Sequence, residues 1–140
     1  MNLHNIAMVA ADTSRTRLYL MELIKNKLLP NHILLLLSNE EGLLPGQKKR
    51  DSESGLIDLI KSVGINYNIA PNSDINSDQV LEKIEGMPEK VIIFSGYGGV
   101  LLKNKTLETG KNFLHIHGGY LPDYKGSTTN YYSLIQENEL

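Results

Sequence analysis

The chain has 140 residues, 41% of them hydrophobic, and a formal net charge of −2 at neutral pH, which fits one globular domain better than a nucleic-acid binder with its basic face. It contains no cysteine, which excludes disulfide bonds and thiolate metal ligands. The N-terminus does not resemble a signal peptide, and no apolar run approaches the roughly 20 residues that span a bilayer, so we expect a cytoplasmic protein without membrane contact.

Apolar runs alternate with helical periodicity from the first residues onward. Residues 6–11 form an apolar run that predicts a buried first strand. Asp12 or Thr13 is suited to cap the helix that follows. Apolar residues of this helix recur up to Leu28, and Pro30 is expected to end it.

The next elements continue the same alternation. Residues 33–37 are an unbroken aliphatic run, which is typical of a parallel strand covered on both faces. Residues 39–54 are polar and predict a surface loop. An i, i+3, i+4, i+7 apolar stripe over 56–63 predicts an amphipathic helix, and Gly64 fits the position just after its end. Residues 67–70 predict a short strand.

The third helix and the fourth strand follow in the same order. Asn76 and Gln79 are spaced as a capping box, which predicts that a helix begins there. Residues 91–94 predict a buried strand that runs into the glycine-rich segment 95–99, and a short helix is expected before Gly110. The repeated βα order predicts an α/β fold with an open, mostly parallel sheet and helices on both faces.

Two histidines at alternate positions make residues 113–119 the most informative segment for chemistry. In a strand, His115 and His117 would point to the same face, with Cα atoms roughly 6.6 Å apart. Gly118 and Gly119 then break the run, at the carboxyl end of a strand where open α/β sheets bind ligands. His117 is the best candidate for proton transfer, since imidazole exchanges protons near neutral pH.

Other kinds of site receive less support from the sequence. The turn after the first strand, residues 10–15, contains no glycine, which is against dinucleotide binding of the usual kind. Arg15 and Arg17 are either surface residues or contacts to a substrate phosphate. A metal site is not predicted, because His4 and His32 lie at the wrong end of the sheet to join the two histidines as ligands.

Residues 97–101 and 115–126 resemble the formyltransferase family that uses 10-formyltetrahydrofolate. That family includes glycinamide ribonucleotide formyltransferase, methionyl-tRNA formyltransferase and the amino-sugar N-formyltransferases. Its hallmark is Asn-x-His, then Leu-Pro a few residues later, then a glycine, and the part from the histidine to the glycine matches here. The resemblance implies a Rossmann-like catalytic domain that transfers a formyl group to an amine.

The resemblance also implies a role for individual residues. His117 falls on the family's catalytic histidine, which handles the proton as the amine attacks the formyl carbon. His115 falls on the family's asparagine, which donates a hydrogen bond to the carbonyl oxygen. The positions that contact the folate correspond to Gly98, Gly99 and Leu101 at the pterin and to Tyr120, Leu121 and Pro122 on the loop beside it.

Two departures from the family pattern lead to further expectations. The asparagine is replaced by His115, which predicts reduced or altered catalysis. The family's catalytic aspartate would lie after residue 140. We therefore expect residues 1–140 to be the N-terminal, formyl-folate-binding domain of such an enzyme, incomplete at its C-terminal end and lacking the last strands of the sheet.

One segment of the sequence bears on the acceptor substrate, the amine that would receive the formyl group. Residues 126–133 resemble formyltransferases linked to surface-sugar synthesis, which favours the amine of an amino-sugar nucleotide. Methionyl-tRNA would require a basic C-terminal domain. Two alternatives stay open: a binding fragment that kept the fold without the chemistry, and a hydrolase that releases formate from formyltetrahydrofolate.

Overall fold

The computed structural model describes residues 2–37 and 52–117, in which five strands alternate with four helices. The elements are, in chain order, β1 (Asn2–Ala11), α1 (Ser14–Lys25), β2 (Leu29–Leu36), α2 (Ser52–Ser62), β3 (Asn66–Ile69), α3 (Asp78–Glu85), β4 (Val91–Ser95), α4 (Asn104–Leu107) and β5 (Asn112–Leu114). Among these residues, no helix is long and apolar enough to cross a membrane.

The five strands form one sheet in the order β3-β2-β1-β4-β5, and all four neighbouring pairs are parallel. The predicted α/β fold with an open parallel sheet is therefore confirmed. The chain moves outward in one direction from β1 to β3 and then crosses back to β4. The strand order reverses between β1 and β4, which is the position where ligands bind in open α/β sheets.

Helices cover both faces of the sheet, as predicted. Leu20 of α1 and Ile60 of α2 are fully buried on one face, against the side chains of Met8 and Ile33. On the other face, α3 buries an apolar group that is continuous with β1, β2 and β4. That group of helical side chains consists of Val80, Leu81 and Ile84. The central strands are buried on both sides, which explains why their sequences are nearly continuous aliphatic runs.

The first helix begins as predicted but ends earlier. Thr13 is its N-cap, and its side-chain oxygen accepts a hydrogen bond from the Thr16 N–H at 3.1 Å. The helix ends at Lys25, because Lys27 takes a left-handed conformation with φ of 58°. The N–H of Leu28 then donates to the Leu23 carbonyl at 2.9 Å, closing a Schellman motif that is usually built on glycine.

Pro30 lies inside β2 and does not end α1, contrary to the prediction. Proline cannot donate to a strand ladder, so it is confined to the starts of strands and to irregular positions. Both conditions hold here. Pro30 is the second residue of β2, and the β1–β2 register shifts between Leu3 and Ala7, directly after the pair Leu3–Pro30.

Two other boundaries differ from the predictions. The expected loop 39–54 overlaps α2, which already begins at Ser52, while residues 38–51 lie outside the described residues. Gly64 does follow the end of α2, in the left-handed region with φ of 70°. The third helix is capped by Ser77 and not by Asn76, because the Ser77 side chain accepts from the Val80 N–H.

Candidate active site at the carboxyl edge of the sheet

Hydroxyl groups join the first helix to the end of β4 at the position where the strand order reverses. Thr16 and Ser95 are fully buried, and their side-chain oxygens are 2.8 Å apart. The Thr16 hydroxyl is also 3.3 Å from the Ser95 carbonyl oxygen. We call Thr16, Ser95, Arg15 and Gly96 the α1–β4 joint. A buried hydroxyl pair of this kind fixes the spacing of two elements, since neither group has water as an alternative partner.

The two arginines at the start of α1 hold neighbouring elements together. Arg15 donates through Nη2 to the Gly96 carbonyl at 2.6 Å. Arg17 donates to Oδ1 of Asp12, with its Nη2 at 2.8 Å, and the Asp12 side chain is only 4% exposed. The structure thus gives both guanidinium groups partners within the protein. The alternative that they contact a substrate phosphate stays a prediction.

The β4–α4 loop (residues 96–103) begins at a glycine that packing requires. A Cβ atom on Gly96 would lie 2.3 Å from Cζ of the Phe94 ring. Further on, the Val100 N–H approaches the Tyr97 carbonyl at 3.4 Å, and Gly99 has φ of 80°, which is typical of a type II turn. The Tyr97 hydroxyl donates to the Leu36 carbonyl at 3.0 Å and so ties this loop to the end of β2.

Asn76 fixes the other end of the β4–α4 loop. This side chain is 5% exposed and donates to the Leu101 carbonyl at 3.0 Å. Its Oδ1 accepts from the Lys103 N–H at 2.8 Å and from the Thr106 hydroxyl at 2.7 Å. Sequence analysis assigned Asn76 to a helix cap. Because Asn76 stands next to the true N-cap residue, Ser77, the sequence does not indicate that its side chain binds a loop 25 residues further along the chain.

The three predicted pterin contacts in the described chain lie on this loop. No atom of residues 2–37 or 52–117 lies within 4 Å of the place where a Cβ would stand on Gly98 or Gly99, so this part of the chain leaves space beside both. Leu101 is 80% exposed although its backbone is fixed by Asn76. A fixed backbone beside open space allows a flat ligand to approach closely. The predicted contacts Tyr120, Leu121 and Pro122 lie outside the described residues.

The histidines lie just beyond β5 and not within it, so the strand alternation used to place them on one face does not apply. Pairing with β4 ends at Ile93 and Leu114. At the next position, the His115 ring contacts its neighbour: Nδ1 is 3.1 Å from the Phe94 carbonyl oxygen, and the two ring centroids are 6.0 Å apart. The His115 side chain therefore hydrogen-bonds the Phe94 carbonyl at the position where the backbone pairing of β4 with β5 stops.

His115 and His117 differ in exposure. The His115 ring is exposed beyond its contact with Phe94, whereas His117 is half-buried and interacts with another part of the chain. The ends of β4 and β5 are adjacent, so the structure does bring His115 next to the strand that leads into the glycine-rich loop. Among residues 2–37 and 52–117, three or more possible metal-binding side chains do not come together.

A separate cavity of about 500 Å³ lies at the opposite end of the sheet, between β2, β3 and the end of α3. Its polar lining includes His32, Asn68, Lys83 and Glu89. Glu89 is 1% exposed and accepts a short hydrogen bond from Asn31. None of the predicted site residues that the structure describes lines this cavity, so it can be compared with the carboxyl edge as a second region of the same sheet.

Sequence analysis missed the residues that build the frame of the candidate site. Thr16 and Ser95 were not singled out, although Thr16 lies five residues after the end of β1 and Ser95 is the last residue of β4. A hydroxyl directly after an apolar run, as at Ser95 after residues 91–94, is the signal that could have identified one member of the pair. Such a hydroxyl is also common in ordinary caps, so the pairing of the two could not be read without the sheet order.

The fold resembles solved formyltransferase structures over nearly the whole chain. Phosphoribosylglycinamide formyltransferase from Brucella melitensis matches with a TM-score of 0.62 at 15% identity, covering 96% of this chain and 67% of that protein. The enzyme of the same name from Anaplasma phagocytophilum gives a TM-score of 0.61 at 10% identity, covering 94% and 58%. The Streptococcus pneumoniae TIGR4 enzyme gives 0.60 at 14% identity, covering 95% and 67%.

These likenesses show a shared Rossmann-like fold. The chain spans between 58% and 67% of the length of these three structures. No protein-family model matches the sequence, and no curated protein matches it either. The fold is therefore established by structure, while the chemistry depends on the residues at the carboxyl edge.

Proposed function

We propose that this chain transfers a formyl group from 10-formyltetrahydrofolate to a primary amine. One observation carries the proposal: the His-x-His segment follows β5 directly, beside the glycine-rich loop after β4, at the carboxyl edge of a sheet whose fold matches formyltransferases. Residues 1–140 would then form the formyl-donor domain. The resemblance of 115–126 to the family motif supports the same assignment independently of the fold.

The β4–α4 loop has the properties that a pterin site requires. Its backbone is held at both ends, by Tyr97 at the sheet and by Asn76 at the start of α4. Between these anchors, the described part of the chain places no atom within 4 Å of a Cβ built on Gly98 or Gly99. A rigid backbone without side chains in the way can hydrogen-bond the edge of a flat heterocycle, and such ordering before binding reduces the entropy lost on association.

Formyl transfer needs a proton acceptor, a proton donor and stabilisation of an oxyanion. The amine nitrogen bonds to the formyl carbon, the carbonyl oxygen becomes negative, and the bond from that carbon to the donor nitrogen then breaks. The amine loses one proton and the leaving nitrogen gains one. His117 would take part in this proton transfer, a role that contributes about 10²–10⁴ in rate. Hydrogen-bond donors to the oxyanion contribute about 3–4 kcal/mol each.

Two acceptors follow from different observations. The segment 126–133 favours an amino-sugar nucleotide. The structural neighbours are named for phosphoribosylglycinamide, which also combines a primary amine with a phosphorylated sugar. We propose an amine of this general kind and favour the amino-sugar nucleotide on the strength of the sequence segment.

The proposal is tested by incubating the chain with 10-formyltetrahydrofolate and, separately, phosphoribosylglycinamide and a set of amino-sugar nucleotides. Mass spectrometry of the amine and an assay for free formate are read in parallel. Formylation that requires His117 supports the proposal. Formate released without any amine indicates a hydrolase. Absence of both products, at enzyme concentrations above those of the donor, contradicts formyl transfer by this chain.

A further inference from the structure

We propose that His115 acts as a hydrogen-bond and proton acceptor toward the attacking amine, and not as an oxyanion donor like the asparagine it replaces. The inference rests on the proposed formyl transfer and assigns one of its steps. It follows from how the His115 ring is held at the end of β4.

The hydrogen bond to Phe94 determines which ring nitrogen carries a proton. Nδ1 of His115 lies 3.1 Å from the Phe94 carbonyl oxygen. A carbonyl oxygen has lone pairs but no hydrogen to donate, so Nδ1 must be the donor. A neutral imidazole has a single N–H. Its Nε2 is then left with a lone pair, which accepts hydrogen bonds and protons.

The carbonyl that sets this tautomer belongs to a rigid part of the sheet. Phe94 is 4% exposed and pairs with Val9 of the central strand β1. Its ring also contacts the His115 ring, with centroids 6.0 Å apart and planes inclined at 43°. The His115 ring thus makes two contacts with Phe94, a hydrogen bond to its carbonyl and a contact with its ring, and the residue is otherwise exposed to solvent.

This arrangement separates His115 from an asparagine at the same position. An asparagine side chain offers both an N–H₂ donor and a carbonyl acceptor and can turn its donor toward an oxyanion. A neutral His115 has already used its one N–H on Phe94. It can accept a proton from an incoming amine but has no second hydrogen for the carbonyl oxygen of the formyl group.

The proton balance of the step is then complete. The amine nitrogen bonds to the formyl carbon and releases one proton to Nε2 of His115. The bond between the formyl carbon and the donor nitrogen breaks, and that nitrogen takes its proton from the imidazolium form of His117. Exchange with water returns both imidazoles to their starting states. The products are the formylated amine and tetrahydrofolate.

The tautomer is measured directly by NMR of the imidazole nitrogens, with the protein labelled in ¹⁵N-histidine and at about pH 8.5, where imidazole is ordinarily neutral. His115→Gln assigns the signals, and His32 provides an internal reference ring. The expected result is a protonated Nδ1 and an unprotonated Nε2 at His115. A protonated Nε2 in the neutral ring would overturn the inference and would leave formyl transfer itself untouched.

The chemical role is measured by rescue of His115→Ala with small molecules, using whichever amine the formylation assay identifies. We expect a loss of activity of at least about 100-fold, partly restored by imidazole and not by formamide, which donates well but is not a base. Restoration by formamide would overturn the inference. If the wild-type chain formylates no amine while the Nδ1–H tautomer is present, the proposed function fails and the assigned step fails with it.

Discussion

The carboxyl edge of the sheet has two halves that use polar groups differently. At the ends of β1 and β4, the hydroxyls of the α1–β4 joint are buried and bind one another, and the two guanidinium groups bind protein oxygens. At the end of β5, one imidazole is exposed and the other is half-buried. The first half fixes the position of the loop, and the second half carries the two imidazoles for which we propose a part in proton transfer. A site of this kind combines a rigid frame with a reactive rim.

The largest expected effect concerns the reactive half. His117→Asn should lower formyl transfer by about 10²–10⁴, because it removes the group that exchanges the proton. Thermal unfolding, followed by circular dichroism, should change far less than activity. His32→Asn at the amino end is the matched control and should keep activity. Equal losses from both variants would show that His117 has no special part in the reaction.

The next-largest expected effect is a difference in stability between substitutions at two glycines of the β4–α4 loop. Gly96→Ala should destabilise the fold by about 1–3 kcal/mol, because its Cβ would lie 2.3 Å from the Phe94 ring in a packed site. A Cβ on Gly98 would meet no atom of the described residues within 4 Å, so Gly98→Ala should change the free energy of unfolding by no more than about 0.5 kcal/mol. Urea unfolding of both variants checks the difference. Equal stability would contradict the packing assigned to Gly96.

A buried hydroxyl pair gives a comparable effect in the α1–β4 joint. Thr16→Val keeps the shape of the side chain but leaves the fully buried Ser95 hydroxyl without its 2.8 Å partner, which should cost about 1–3 kcal/mol. A double-mutant cycle with Ser95→Ala measures the interaction itself. We expect a coupling energy above about 0.5 kcal/mol, since contacting groups are not additive. Additive single effects would mean that the two hydroxyls do not stabilise one another.

The smallest effect lies away from the edge, at an exposed ion pair. The hydrogen bond and the charge of Lys105, 2.7 Å away, hold the pKa of Asp78 below its ordinary value. A carboxyl group whose pKa is lower in the folded state stabilises the fold above its unfolded pKa and loses that contribution as pH falls through the folded value. In Asp78→Asn, the free energy of unfolding should therefore fall slightly less steeply as the pH drops below about 4. An unchanged dependence of the free energy of unfolding on acid pH would show that solvent fully screens the Asp78–Lys105 pair.

The framework of the fold was readable from the sequence because it depends on local patterns. Buried parallel strands require aliphatic runs, and the runs at 6–11, 33–37 and 91–94 all lie within or across observed strands. The N-cap of α1 was narrowed to Asp12 or Thr13 because their side-chain oxygens accept from helix N–H groups, and Gly64 was predicted after α2 because glycine readily adopts a positive φ. Local chemistry and tertiary structure agree at these places.

The misses come from contacts between distant segments. Lys27 ends α1 in a conformation that glycine usually adopts, so its sequence gave no signal. Asn76 resembled a cap, but its partners lie at Leu101, Lys103 and Thr106. The β5 strand was expected to include the histidines, yet it stops at Leu114. At the next residue, the His115 ring hydrogen-bonds the Phe94 carbonyl. Periodicity cannot reveal that a side chain replaces the next ladder bond.

The most direct measurement is an NMR titration of the histidine-labelled chain with 5-formyltetrahydrofolate, a folate that resembles the donor. His4 and His32 lie in β1 and β2, and His32 lines the cavity at the opposite end of the sheet, so both act as internal references. We expect the His115 and His117 imidazole signals to shift with saturation while those of His4 and His32 stay fixed. Absence of binding, or a shift confined to His32, would contradict it.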